Sequence, residues 1–422
     1  MKALSAAKFL VSPILALCMA VANSPAGAGV ESAYVVLGEG GIGTARVITT
    51  DAQCPAITVD GKSSSMSLRA EASGADFPVT VCEAVLPPAA RNAAVEGRRL
   101  PLQPTSPLTR MVVLGDSGCR MKKDYPLQSC NDSVAWPFAA VARAAAASSP
   151  QVVIHVGDYL YREMPCPDGV AGCQGSPSGD NWRTWRADFF DPAAPLLAAA
   201  PWVVVRGDHE LCSRAGGGYF RFLDPRPLSP ACSASTRPYW ISLGALRLFM
   251  LDSSEGAAES ADRVADYHAQ LETLSAASAR GAWIVTHMPI WGIRGNLDGK
   301  TLKLLTQSLQ DAAAGVDLRQ VVQVVSGHIH AFEALAIAHD GPSQLVVGTG
   351  GTSLDPQISQ PLAGMTTGSA LLEDGVSQSQ FGFVMLEQIG ATGVWVSRFR
   401  GIAGEAELAC EGVGVRGALT CR

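Results

Sequence analysis

The sequence predicts an α/β (α+β) protein with a buried main sheet, preceded by a small β-rich unit, and three observations carry that prediction. From Met111 onward the chain repeats an apolar strand, a polar turn and an Ala-rich amphipathic helix. Such alternation implies strands covered by helices in an α/β sheet. Five of these strands end in Asp or His, the positions at which open α/β sheets form their ligand crevice. Before Met111 the texture differs: short apolar runs are separated by Gly, Asp and Ser, the pattern of strands and turns.

In chain order, residues 1–28 read as a signal peptide. Lys2 and Lys8 give the positive start and residues 9–22 the apolar centre. Ala26-Gly27-Ala28 has the small-x-small form of a cleavage site, with Ala20-Val21-Ala22 as a second candidate. The apolar run of roughly 14 residues falls short of the ~20 that a spanning helix needs, and Pro13 interrupts it. Residues 30–105 are expected to form an accessory β-rich domain, with strands near 33–37 and 45–49. It ends in the stiff linker Leu100-Pro101-Leu102-Gln103-Pro104. The main domain is expected over 106–402, with strands at 111–114, 151–156, 202–205, 283–286 and 321–325. Helices are expected near 135–147, 261–278 and 301–314. Further strands follow near 332–338, 345–348, 381–386 and 394–399, then a tail over 403–422 closed by cysteines.

Composition narrows the class. A formal net charge of −6 disfavours a nucleic-acid coat or an anionic membrane surface as partner. Of the 11 cysteines, all but Cys18 fall in near-neighbour pairs: 54 and 82, 119 and 130, 166 and 173, 212 and 232, 410 and 421. No Cys-x-x-Cys occurs, so disulfides in an oxidising compartment are a better reading than a zinc site, although spacing does not prove connectivity. With the signal peptide, this predicts a periplasmic or secreted protein.

The chemistry lies at the strand ends, which read Gly115-Asp116, Gly157-Asp158, Gly207-Asp208-His209-Glu210, His287 and Gly327-His328-Ile329-His330. Four of the seven histidines occur there. An isolated His is usually a surface or core residue, but four clustered beside Asp and Gly are hard to explain as packing. Glycine before Asp158, Asp208 and His328 allows the tight turn from which a side chain projects. Mixed Asp and His ligands suit Zn, Mn or Fe better than Ca.

As an ordered set these blocks resemble the calcineurin-like metallophosphoesterase superfamily, over roughly residues 110–340, and two details resemble its purple acid phosphatase branch. Gly118 stands in Asp116-Ser117-Gly118 where most of the superfamily has a metal-binding His, and Tyr161 follows Asp158 in Gly-Asp-x-x-Tyr. The resemblance implies a sandwich of two β-sheets flanked by helices. It further implies that Asp116, Asp158, Tyr161 and His330 hold a first metal, with Asp158 bridging to a second held by Asp208, His287 and His328. A tyrosinate ligand implies Fe(III) at the first site, paired with Zn, Mn or Fe(II). His209 would bind phosphate or protonate the leaving oxygen, oriented by Glu210. Tyr159 is a rival to Tyr161. The chain departs from the family at Asp208, where Asn is usual, which adds negative charge near the substrate phosphate.

The implied function is an exported hydrolase of small phosphate esters, with phosphomonoesters favoured. Phosphodiesters or nucleotides on the same centre are the near alternative. A metal-binding interaction protein with weak or no catalysis is the alternative of another class, and Asp208 is the feature that favours it. Other residues carry blander expectations: His155 as a core histidine, Asp252 as a turn residue, and 181–186 as a surface helix rather than a substrate rim. Cys212 is expected to pin the loop after Glu210. The Gly348-Thr349-Gly350-Gly351-Thr352 turn is a weak candidate for a phosphate cradle.

Overall fold

The computed structural model describes residues 29–422 apart from 105–106, 257–259, 278–279, 296–301, 304–306, 391–393 and 403–405, so the expected signal peptide lies outside the described residues. Two sheets face each other, one of eleven strands and one of eight. In the larger, strands Arg110–Leu114, Val152–His155 and Trp202–Val204 run parallel side by side. In the smaller, Leu246–Met250, Ala282–Val285 and Val321–Ser326 do the same. Val113, Ile154 and Val203 from the first sheet pack against Leu248, Val285 and Val325 from the second. Val112, Val153 and Val204 point the other way, into an aromatic layer under helices Phe138–Ala147 and Asp191–Ala199. Helix Ala261–Ala276 covers the far face of the second sheet. Strands covered on both sides are apolar at most positions, which is why they read as Val- and Ile-rich runs, with His155 and Gln323 as buried polar exceptions.

The expected two-sheet sandwich flanked by helices is therefore present. The expected division at 105/106 is not how the sheets are divided. Strand Val30–Leu37 pairs in parallel with Trp202–Val204, and Gly43–Thr49, Thr80–Val85 and Ser67–Ala70 extend the same eleven-stranded sheet. Only Ala56–Val59, Lys62–Ser65, Ala93–Val95 and Arg98–Arg99 form a separate four-stranded sheet. Arg46 and Arg69, both buried, tie this region to the main body by donating to the carbonyls of Phe220, Phe222 and Asp224. At the other end, Ala406–Val413 and Thr420–Cys421 also belong to the large sheet.

All five near-neighbour cysteine pairs are disulfides: Cys54–Cys82, Cys119–Cys130, Cys166–Cys173, Cys212–Cys232 and Cys410–Cys421. Each closes a short loop and restricts the unfolded chain, a contribution of ~2–4 kcal/mol apiece. Among the described residues no helix is long and apolar enough to cross a membrane. The expected helix near 301–314 is observed over Gln307–Ala314, after a short strand Leu302–Lys303; residues 301 and 304–306 lie outside the described residues. The 181–186 segment is helical over Trp182–Trp185 with Arg183 and Arg186 exposed, as expected of a surface helix, while Trp182 and Trp185 are buried against Phe190 and Phe222 and line no rim.

Candidate metal centre

Parallel strands end on the same rim of their sheet, and the two sheets present those rims to a common cleft. The turns that follow are strained: Asp116, Asp158 and His328 adopt φ of 54°, 60° and 68°, a left-handed region that costs a non-glycine residue on the order of 1–3 kcal/mol. The neighbouring glycines serve mainly close approach. A Cβ on Gly207 would collide with Asp158 Oδ1, and one on Gly327 with Asp116 Oδ2.

Two sets of side chains result, each with its potential ligand atoms within 4.8 Å of one another: Asp116, Asp158 and His330, and Asp158, Asp208, His287 and His328. Asp158 is common to both, as a bridging ligand has to be. The Tyr161 hydroxyl lies in the middle of the first set, 3.1 Å from Asp116 Oδ1, 2.6 Å from Asp158 Oδ2 and 2.9 Å from His330 Nε2. Its rival Tyr159 is elsewhere, stacked on His155 with ring centroids 4.0 Å apart. His155 itself is buried and 3.0 Å from Ser117 Oγ, as a core histidine. Gly118 explains why a phenol reaches the first set: a Cβ there would collide with Asp188 and with the backbone of Tyr159 and Tyr161. The space beside residue 118 is filled by the segment that delivers Tyr161. Asp188 fixes both partners, accepting from Cys119 N at 2.9 Å and Tyr161 N at 2.8 Å.

The donor atoms fit metal ions. His287 Nδ1 is 2.7 Å from the Val156 carbonyl and His330 Nδ1 is 2.9 Å from that of Ser353. These contacts fix the tautomers that leave each Nε2 lone pair facing the cleft, the usual outer support of a metal-binding histidine. In the second set His287 Nε2 lies 3.3 Å from both Asp158 Oδ2 and Asp208 Oδ1, and His328 Nδ1 is 3.1 Å from Asp208 Oδ1. The electrostatics ask for a cation. Burial, then the carboxylates of Asp158 and Asp116, push the Tyr161 phenol well above its usual range. It ionises at ordinary pH only beside a strong Lewis acid. Burial would lower His287, but Asp158 and Asp208 hold it well above its usual value, and burial is likewise overridden at Asp158, which His287 pulls down. Positive charge is what these carboxylates are arranged to receive.

Glu210 requires a correction. It does not orient His209. Its carboxylate accepts from the backbone N–H groups of Asp158 (3.0 Å), Tyr159 (2.8 Å), Leu160 (3.2 Å) and Gly207 (3.0 Å), so it splints two site loops together. Residue 210 follows 209 on a tight turn and points behind the loop, out of reach of the imidazole. The carboxylate beside His209 is Glu163, with Oε1 2.8 Å from Nδ1. The His209 ring lies on that of Tyr161 at 3.6 Å between centroids, with Nε2 3.9 Å from Asp158 Oδ2. The sequence also gave no sign of Arg214, which donates to Asp208 Oδ2 at 2.6 Å and to Glu163. Asp208 therefore turns one oxygen to the histidines and has the other neutralised.

The Gly348–Thr352 turn is not a phosphate cradle. Gly350 N and Thr352 N donate to the carbonyls of Gly115 and Asp116, bracing the turn that carries Asp116. Asp252 accepts from Thr236 and Ser254 as a turn residue does, and also pairs with Arg206. Cys212 is joined to Cys232 just beyond the site.

Replacing Tyr161 by Phe gives a direct test of its role. If Tyr161 is a ligand of Fe(III), the iron-loaded protein has an absorption band in the visible that the variant loses. A colourless iron-loaded protein removes tyrosinate ligation.

Residues 109–332, more than half of the chain, match the family model for calcineurin-like phosphoesterases. No curated protein matches in sequence. Two solved structures are similar in fold. A purple acid phosphatase from yellow lupin (Lupinus luteus) seeds, PPD1, aligns over 90% of this chain and 73% of its own with a TM-score of 0.59 and 14% identity. PhoD aligns over 92% of this chain and 91% of its own with a TM-score of 0.60 and 10% identity. With its fold, its match over the strands and turns that build the cleft, and side chains arranged for two metal ions, this chain belongs to the calcineurin-like phosphoesterase family and is a metal-dependent phosphoesterase.

Proposed function

We propose that the protein is an exported phosphomonoesterase in which Asp116, Asp158, Tyr161 and His330 hold one ion and Asp158, Asp208, His287 and His328 the other. The single observation that carries this reading is the sharing of Asp158 between two ligand sets, one of them centred on a phenol. That donor set favours Fe(III) in the first position and Zn, Mn or Fe(II) in the second. Ions held by these residues would supply charge neutralisation for the phosphoryl oxygens and a water acidic enough to act as nucleophile near neutral pH.

The chain's own residues do the rest. Tyr161 walls one side of the cleft with Asp116 buried behind it, and Asp158 anchors the loop of His209 by accepting from its backbone N–H at 2.9 Å. Glu163 lies against Nδ1 of His209, so only the imidazolium form carries a second proton, on Nε2, where the leaving oxygen departs. Arg214 removes the objection that Asp208 adds charge near the substrate, and with it the feature that favoured a non-catalytic protein. Export is supported by the five disulfides together with the signal-like pattern of residues 1–28.

Elemental analysis of the purified protein is expected to find about two metal ions per chain, the count that two-ion hydrolysis requires. Turnover of an aryl monophosphate is expected to exceed that of the bis-aryl diester. A faster diester reaction makes the protein a phosphodiesterase on the same centre, and the absence of both metal and turnover ends the reading.

A further inference from the structure

The cleft of about 80 Å³ in front of the ligand sets has a basic edge that the proposed chemistry does not use. Arg120, Lys122 and Arg294 line it together with Tyr125, His209 and Asp208. Arg294 is already neutralised, since its guanidinium pairs with Asp355 at 2.6 Å. Arg120 and Lys122 are different. Among the described residues neither has a carboxylate partner, and Arg120 Nε is buried without a hydrogen bond. Their positive charge is turned toward the cleft without a direct ion pair, although leaving a buried donor unpaired costs ~1–3 kcal/mol.

The local fold holds them there. Met121 N donates to the Tyr161 carbonyl at 3.0 Å and Glu163 N returns to the Met121 carbonyl at 3.0 Å, so residue 121 runs as a short strand beside the segment that delivers Tyr161. Side chains alternate along an extended chain. Met121 is buried, and Arg120 and Lys122 share the opposite side. The loop is closed by Cys119–Cys130, and Gln128 Oε1 accepts from Arg120 N at 3.0 Å. Tyr125 completes the edge, with Lys122 Nζ 4.9 Å and Arg120 Cζ 5.9 Å from its ring centroid.

We propose that Arg120 and Lys122 form a second anion subsite, and that the favoured substrate carries a second phosphoryl group beside the one at the metal centre. The inference rests on the phosphoesterase reading of the same cleft and names its substrate class: phosphate compounds with two phosphoryl groups a few atoms apart. A single phosphate held by two ions is already largely neutralised. Two further free cations, fixed on a disulfide-closed loop, match the charge of a second phosphoryl group. Guanidinium in particular suits that geometry.

The test uses the metal-loaded protein with inorganic pyrophosphate and orthophosphate as probes, both measured by calorimetry. Wild type is expected to bind pyrophosphate more tightly than orthophosphate. A charge-assisted contact contributes about 10–100-fold, so Lys122→Met and Arg120→Met should each lower the ratio of the two affinities by at least about tenfold. Lys122→Arg should keep it. A ratio unchanged in Lys122→Met, the variant least able to disturb folding, overturns the subsite. So does a wild type that does not distinguish the two probes. Failure of the phosphoesterase reading shows separately, as a wild type that binds pyrophosphate with the expected ratio yet turns over no phosphate ester.

Discussion

Replacing His209 by Ala is expected to reduce turnover of an aryl phosphate by ~10²–10⁴-fold, the range of a lost general acid, while leaving metal content at the wild-type level. The geometry argues for both halves of that result. The imidazole is not within either set of converging ligand atoms, and its Nε2 lies farther from Asp158 Oδ2, at 3.9 Å, than His287 Nε2 does at 3.3 Å. Its other nitrogen is taken by Glu163. As an imidazolium, a side chain so held presents its Nε2 proton to the cleft and holds no ion in place. Glu163→Gln should keep the ring in place but stabilise the protonated imidazole less, with a smaller fall of about tenfold. Glu210→Gln should behave as a structural change, lowering thermal stability because the amide donates where four backbone N–H groups need an acceptor. Loss of metal in His209→Ala, or an unaltered rate, would discard the acid role.

The second large effect concerns Asp208 and Arg214, best read as a double-mutant cycle. Arg214→Met leaves two carboxylates, Asp208 and Glu163, without their shared cation. Removing one partner of a largely buried pair is strongly unfavourable, and kcat/KM is expected to drop on the order of 10²-fold. Asp208→Asn alone should also lose activity, by about tenfold, because an amide NH₂ then faces the guanidinium. Combining Asp208→Asn with Arg214→Met removes the unpaired charge at this position. The double variant is expected to recover to within about tenfold of wild type. Additive losses would show that the two residues act independently, and the idea of a compensated aspartate would fall.

The legibility of the site followed the physics of strands. A parallel strand buried on both faces announces itself as an apolar run, and the residues just past its end are exposed to the cleft by topology alone. That is why the places of Asp116, Asp158, His287 and His330 were readable, whereas Tyr161 was picked out only by the resemblance of Gly-Asp-x-x-Tyr, with Tyr159 left as a rival. Loops that touch only after folding left no such trace. Arg214 lies six residues beyond Asp208 and Glu163 lies 51 residues before Arg214, and no periodicity links them. Glu210 misled because adjacency to His209 suggests contact, whereas consecutive side chains on a tight turn diverge. The Pro-rich stretch at 100–104 looked like a linker because its composition is that of one. In the fold it meets the start of an interior strand, with Gln103 Oε1 accepting from Gly43 N at 2.9 Å.

The continuity of the large sheet has a consequence for when the enzyme can exist. Strand Arg110–Leu114, which ends at Asp116, has Val152–His155 on one side and Gly382–Ile389 on the other, a neighbour made some 270 residues later. Val30–Leu37 waits for Trp202–Val204 in the same way. Pairings this distant in sequence close slowly and late, so the cleft is among the last things to form. A chain interrupted after His330 would possess every proposed ligand but would lack Gly382–Ile389, the neighbour on one side of the strand that leads to Asp116. The strand that carries Asp116 is thereby completed only by a segment close to the far end of the chain.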